Sequence, residues 1–313
     1  MATRTAIKVP QMRNTVEIPE TGLQLTRWSG PDFGLVPALD TNYIFQKSYV
    51  EDLLYAINFS QNCMLVGDAG VGKSSLVEQL GALANRPVRR VNLHGESDTT
   101  LFVGRDKPME VNGVRSMVYV PGLLATAMQE GHWLLLDEID AALQPVLFVF
   151  QQILEDDGKL VLEDGNGTVV RKHPDFRVFA TANTVGIASR NRLMYTGTLG
   201  RMNEATLDRF GCVVHMKPLP PKLEKSVICR KVPELDPDFV EGIVRIANDV
   251  RNQLDNETLS CTFSTRRCLQ WAKAMTQFHP VRASELTILN KLNEEDYKVM
   301  QGVIQRYYGS DSV

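Results

Sequence analysis

The run Gly67-Asp68-Ala69-Gly70-Val71-Gly72-Lys73-Ser74 fits the pattern G-x-x-x-x-G-K-[ST]. Glycines at these spacings let successive backbone N–H groups turn toward one anion, and a helix opening directly afterwards adds the positive end of its dipole. The Lys73 ammonium can then reach β- and γ-phosphates, and the Ser74 hydroxyl can ligate Mg²⁺. Gly67, Asp68, Ala69, Gly70, Val71, Gly72, Lys73, Ser74 and Ser75 form the expected phosphate-binding set.

Four further residues have types suited to the same chemistry. Asp137 and Glu138 end the apolar run Trp133-Leu134-Leu135-Leu136, and carboxylates at the carboxyl end of a buried parallel strand lie where open α/β sheets bind ligands. Asp137 is placed to hold the magnesium water shell, and Glu138 to orient and deprotonate an attacking water. Asn183 follows Phe179-Ala180-Thr181-Ala182, where an amide can sense a γ-phosphate or hold that water. Arg209, in Leu207-Asp208-Arg209-Phe210-Gly211, can stabilise developing phosphate charge as a finger. On residue types alone, a helix-end arginine paired with Asp208 is an equally open reading.

These residues need a scaffold, and from Cys63 onward the pattern alternates. Strands are expected at 63–66, 88–93, 133–137 and 176–181, with helices at 73–86, 121–130 and 145–154. The run 133–137 is apolar at every position but its last, as in a strand buried on both faces. The expectation is an α/β core with a mainly parallel sheet between helices. Before it, residues 1–40 read as an irregular arm, and 50–57 has helical spacing. After the break Lys217-Pro218-Leu219-Pro220-Pro221 the chain reads as helix, including 239–254, 264–278 and 294–307. The expected division is an arm at 1–40, a nucleotide-binding core at 41–220 and a small all-helical domain at 221–313.

Composition bounds the alternatives. The 313 residues carry 34 Lys+Arg and 37 Asp+Glu, a net charge of −3, which gives no general electrostatic reason to bind nucleic acid or an anionic membrane. No apolar run reaches the ~18 residues a membrane helix needs, and the amino terminus has no secretory pattern. The five cysteines (63, 212, 229, 261 and 268) are scattered without C-x-x-C, which fits a reducing cytoplasm better than a disulfide framework. The five histidines (94, 132, 173, 215 and 279) lack H-x-x-x-H spacing, so isolated core or surface roles are expected.

Taken together, the phosphate loop, Leu134-Leu135-Leu136-Asp137-Glu138-Ile139-Asp140, Phe179-Ala180-Thr181-Ala182-Asn183-Thr184-Val185-Gly186 and Asn203-Glu204-Ala205-Thr206-Leu207-Asp208-Arg209-Phe210 resemble the AAA+ ATPases. Within them the chain is similar to the MoxR group, and most closely to the CobS-like cobaltochelatase ATPase subunits. Arg86-Pro87-Val88-Arg89-Arg90-Val91-Asn92-Leu93 and Phe148-Val149-Phe150-Gln151-Gln152-Ile153-Leu154-Glu155 look CobS-like. The resemblance spans about residues 35–275. It implies a P-loop AAA+ core followed by a helical lid, with ATP and Mg²⁺ as cofactors and ATP hydrolysis as the reaction. It also implies a homo-oligomeric ring, usually a hexamer, with ATP between subunits. Arg209 becomes the finger, acting in trans. The arginine of Ser264-Thr265-Arg266 becomes sensor 2, where the family usually has Ser-Pro-Arg, with Arg267 the near alternative.

Two hairpins fit this group. One turns at Asn112-Gly113 between alternating segments; the other joins 159–163 to 168–171 through Asp164-Gly165-Asn166-Gly167. MoxR-type proteins commonly act with a partner carrying a von Willebrand A domain. The function expected from the resemblance is therefore remodelling of a partner, with a nucleic-acid motor or loader as the alternative. The charge balance weighs against that alternative, and Arg89-Arg90 and Arg190-Asn191-Arg192 read as small solvated or interface patches.

Overall fold

A computed structural model describes residues 14–94, 97–111, 113–162, 167–183, 204–255 and 262–309. The expectations for Asn112, for residues 164–166 and for residues 190–192 lie outside the described residues. So does Cys261.

The chain starts with a difference from its sequence reading. Where the arm is expected to be irregular, β1 (Thr15–Ile18) and β2 (Leu23–Thr26) pair as an antiparallel hairpin. Each strand is only four residues long, which hides its alternation, but Ile18 and Leu25 are both fully buried. They join a core with α1 (Lys47–Asn58), an amphipathic helix that buries Val50, Leu53, Leu54, Ala56 and Ile57.

The central sheet then builds up in alternation with helices. Its strands are β3 (Cys63–Val66), β4 (Val88–Asn92) and, after an excursion, β7 (Trp133–Asp137), β10 (Arg177–Ala182) and β11 (Cys212–His215). All pair in parallel, in the order β11-β3-β10-β7-β4. Alternate residues of the inner strands feed opposite faces. Met64, Leu134 and Val178 join one apolar layer, while Leu65, Leu135 and Phe179 join the other. Helix α2 (Lys73–Leu83) packs in the second layer with α1. Helices α3 (Thr99–Val103), α4 (Leu123–Glu130) and α5 (Gln144–Leu154) supply the first.

Both expected hairpins form outside this sheet. The first is longer than the sequence suggests: β5 (Gly104–Val111) and β6 (Val114–Pro121) run eight residues each. Pro121 therefore ends a strand instead of opening the next helix, which starts after Gly122. Pro121 pairs with Gly104 at the open end of a two-stranded ribbon, a place where a missing N–H is tolerated. The second hairpin joins β8 (Lys159–Leu162) to β9 (Thr168–Arg171), burying Leu160, Leu162 and Val170 against α5 and its neighbours. A one-turn helix, α6 (Glu204–Leu207), precedes β11.

From Pro221 the chain is helical, in α7 (Pro221–Lys231), α8 (Pro237–Asp255), α9 (Thr265–Met275), α10 (Pro280–Thr287) and α11 (Glu294–Tyr308). They enclose a separate apolar core around Trp271, Ile243 and Met300. Inside it sits an ion pair. Arg251 grips Glu224 through two hydrogen bonds, 2.8 and 2.7 Å, and the Glu224 side chain is 0% exposed. Thr265 Oγ1 donates to the same carboxylate at 2.7 Å. This accounts for threonine where the resembled family has proline. Position 265 is the first of α9, a position that favours proline for its fixed φ; here the hydroxyl completes a buried acceptor instead. Glu224→Ala, which strands the Arg251 charge, is expected to cost ~3–5 kcal/mol of unfolding free energy, read from urea titration. The double change Glu224→Leu with Arg251→Met is expected to recover most of it. Equal stability of Glu224→Ala and the parent would contradict this role.

Candidate nucleotide site

β3 delivers the chain to the sheet's carboxyl edge, and the loop that follows is fitted tightly. A β-carbon on Gly67 would lie 2.2 Å from the Met216 carbonyl oxygen, so only glycine fits. Gly72 has φ +97 and caps α2, letting the helix begin at Lys73. Lys73 is 8% exposed. Its Nζ donates to the carbonyls of Gly67 (2.6 Å) and Asp68 (3.0 Å) and to Asn183 Oδ1 (3.0 Å). Burial holds its pKa below the usual lysine value, against the opposing pull of Asp140, Asp68, Asp137 and Glu138. Phosphate charge beside it would pull that pKa back up.

Asp137 is the hub of the site. One carboxylate oxygen accepts from Ser74 Oγ at 2.5 Å and from Thr181 Oγ1 at 2.8 Å. The other accepts from Arg90 Nε at 2.5 Å. The Thr181 hydroxyl also accepts the Glu138 N–H at 3.1 Å, so one side chain of β10 fixes both Asp137, the last residue of β7, and Glu138, which follows it. Glu138 is exposed, with a left-handed backbone (φ 57, ψ 46). That geometry costs a non-glycine residue about 1–3 kcal/mol, and it aims the carboxylate away from the sheet's core. Asp140 is buried and accepts the Asn183 N–H at 2.9 Å.

A cavity of about 510 Å³ gathers the expected residues: Lys73, Ser74, Ser75, Asp137, Glu138, Asn183 and Arg266 all line it. Gly70 and Gly72 stand at the border with a second cavity of about 280 Å³, which runs between the segment 40–49 and Val227, Lys231 and Leu269 of the C-terminal helices. Arg266 faces both cavities. Arg267 does not, since its guanidinium donates to the Thr262 carbonyl at 2.6 Å.

The oxygen set of Ser74 and Asp137 fits Mg²⁺, a hard cation that keeps several waters and leans on substrate phosphates. Among the described residues no group of three His, Cys, Asp or Glu is arranged to hold a metal without such help. Ser74 and Asp137 would hold the ion, which would neutralise phosphate charge.

Arg209 lies elsewhere, in a third cavity of about 520 Å³ with Asn62, Glu155 and Lys172. Its Nε donates to Glu155 Oε1 at 2.7 Å. The partner is thus Glu155, not the adjacent Asp208. Asn62 Nδ2 holds the Arg209 carbonyl at 2.9 Å, and Asn62 directly precedes β3, whose other end carries the phosphate loop. The length of that strand, about 13 Å, separates Arg209 from its own chain's loop.

Two contributors escape the sequence reading. Arg90, expected in a small solvated or interface patch, belongs to the site through Asp137 and an ion pair with Glu78 at 3.2 Å. The pairing of β4 with β7, which sets Asn92 beside Asp137, brings it there. Its neighbour Arg89 donates instead to buried His132 at 3.0 Å. Burial, then Arg89 and Arg86, push that imidazole's pKa down to about 4. Thr181 is the other; its only sequence signal is a hydroxyl inside an apolar strand.

Comparison with known proteins agrees with this layout. The family described as the AAA domain of the dynein-related subfamily matches residues 62–210, and the CbbQ/NirQ/NorQ C-terminal family matches residues 224–306. The aerobic cobaltochelatase subunit CobS of a Sinorhizobium species is 34% identical over 295 residues, covering 93% of this chain and 88% of that protein. The von Willebrand factor A domain-containing protein 8 of Mus musculus is 27% identical over 82% of this chain, which spans 14% of that protein. A mutant of Thermotoga maritima RuvB shares the fold, with a TM-score of 0.50 at 14% identity over 86% of this chain and 74% of that one. Identity of 34% sustained across nearly the whole of both chains goes beyond a shared motif, and the chain belongs to the AAA+ ATPases of MoxR and CobS type.

Proposed function

We propose that this chain hydrolyses ATP with Mg²⁺ as one subunit of a homo-oligomeric ring, a hexamer, and couples the reaction to remodelling a partner protein. The observation that carries the proposal is the split between two cavities. Phosphate-binding, metal-holding and sensing groups share one, while Arg209 occupies another. A site assembled from the first cavity of one subunit and Arg209 of the next joins them.

In that site Lys73 and the α2 amino terminus bind the β- and γ-phosphates. Glu138 takes the proton of the attacking water, and Asn183 holds that water or reads the γ-phosphate. Arg266 on the lid contacts the phosphates from above, and the smaller cavity, beside Asp40 and Lys231, takes the base. Cys63, Cys212, Cys229 and Cys268 are free thiols, which supports a reducing compartment, and we assign the cytoplasm.

For the partner, the mouse relative supports a von Willebrand A domain, because its name places such a domain in one chain with a segment similar to this one. The CobS relative makes a cobaltochelatase complex the first candidate to test, with cobalt as the complex's cargo.

Two measurements check this reading. Lys73→Ala is expected to weaken Mg²⁺·ATP binding by about 10- to 100-fold in calorimetry, the loss of charged hydrogen bonds worth ~1.5–3 kcal/mol; unchanged affinity would move the nucleotide elsewhere. Light scattering after size exclusion should show the parent chain as a ring with saturating ATP. A monomer at every protein concentration would remove the shared site.

A further inference from the structure

We propose that Glu155 is the positioning residue of the finger, holding the Arg209 guanidinium in the orientation a neighbouring subunit's γ-phosphate requires. The inference rests on the reading of Arg209 as a finger acting in trans.

The geometry is that of a mount. Arg209 Nε and one terminal nitrogen both lie 2.7 Å from Glu155 Oε1, and the other terminal nitrogen donates to the Ala205 carbonyl. A guanidinium has five N–H donors in a fixed fork. Its hydrogen bonds to Glu155 and Ala205 use two of these, which leaves donors on both terminal nitrogens for a phosphate. The Arg209 side chain is 27% exposed, so it is gripped and still partly open to the surface.

The mount itself is rigid. Glu155 is the residue that ends α5, whose inner face buries Val146, Leu147, Phe150, Ile153 and Leu154. Asn62 Nδ2 donates both to the Leu154 carbonyl at 2.7 Å and to the Arg209 carbonyl at 2.9 Å. One amide thereby fixes the end of α5 and the backbone of Arg209 relative to each other. The other cations of this cleft are engaged with backbone. Lys172 Nζ donates to the Glu155 carbonyl, and Arg177 donates to the carbonyls of Ile57, Pro174 and Phe176. The Glu155 carboxylate hydrogen-bonds Arg209 and also feels the nearby charge of Lys172.

A long arginine side chain otherwise samples many rotamers, and a reacting group misplaced by about 1 Å can cost ~100-fold in rate. Glu155→Ala is therefore expected to lower kcat by about 10- to 100-fold with the Kd for Mg²⁺·ATP unchanged. Glu155→Gln, which keeps one acceptor oxygen and the shape, should fall between it and the parent. In an Arg209→Lys background, Glu155→Ala should add no further loss.

The deciding measurement titrates Lys73→Ala chains, inert themselves, into a fixed amount of Glu155→Ala. The added subunits carry an intact Glu155–Arg209 mount and lend it to the intact loop of a neighbour, so the rate should rise. The same titration into Arg209→Ala is the control. A rise with Arg209→Ala but none with Glu155→Ala, or unchanged kcat in Glu155→Ala, overturns the mount while leaving the finger standing. No rise in either, with co-assembly shown by light scattering, removes the trans finger and the mount with it.

Discussion

Arg209→Ala is expected to keep the fold and the affinity for ATP while losing hydrolysis by about 10³- to 10⁵-fold, ~4–7 kcal/mol of barrier. The fold should survive because Arg209 is partly exposed and its backbone anchor, the Asn62 amide, is untouched by the change. Affinity should survive because the side chain lies outside the cavity of Lys73, Ser74 and Asp137. Phosphate release by the variant alone, and by its mixture with Lys73→Ala, checks the assignment. Both variants are inert alone, and mixed rings contain interfaces with one intact loop facing one intact finger, so part of the activity should return. Normal hydrolysis by Arg209→Ala would pass the role to another arginine.

Glu138→Gln is expected to bind Mg²⁺·ATP normally and hydrolyse it about 10²- to 10⁴-fold more slowly, the usual contribution of a positioned base. The amide is isosteric, and the backbone N–H that fixes position 138 on Thr181 remains. Only the capacity to accept a proton is lost. Asp140 cannot stand in, because it is buried and accepts the Asn183 N–H. A chemical-quench time course reads the effect. Parent-like turnover would move the base away from Glu138, whereas a stalled, ATP-loaded ring gives a reagent for capturing the remodelled partner.

What could be read from sequence and what could not divides along a physical line. The phosphate loop was legible because anion binding needs particular backbone freedom at fixed local spacing, and Asp137-Glu138 because a fully apolar strand makes terminal carboxylates conspicuous. Arg90 and Thr181 were not. Each joins Asp137 through strand pairing across more than 40 positions of sequence, and pairing order leaves no trace in local pattern. The partner of Arg209 shows the same limit: Asp208 is next to it in the chain, but Glu155 is next to it in space. The hairpin 15–26 escaped because two four-residue strands carry too few alternations to stand out.

The position of β3 bears on the order of events. Its carboxyl end becomes the phosphate loop, and its amino end is Asn62, which holds the Arg209 backbone. A hydrogen-bonded strand in the middle of a sheet is nearly inextensible, so displacement of the loop as the γ-phosphate leaves is passed to Asn62 with little loss. In the proposed ring, the subunit that has just fired shifts the finger it lends to the next site. In such a ring each cleavage would bear on one particular neighbour, so firing in sequence around the ring is the expected order.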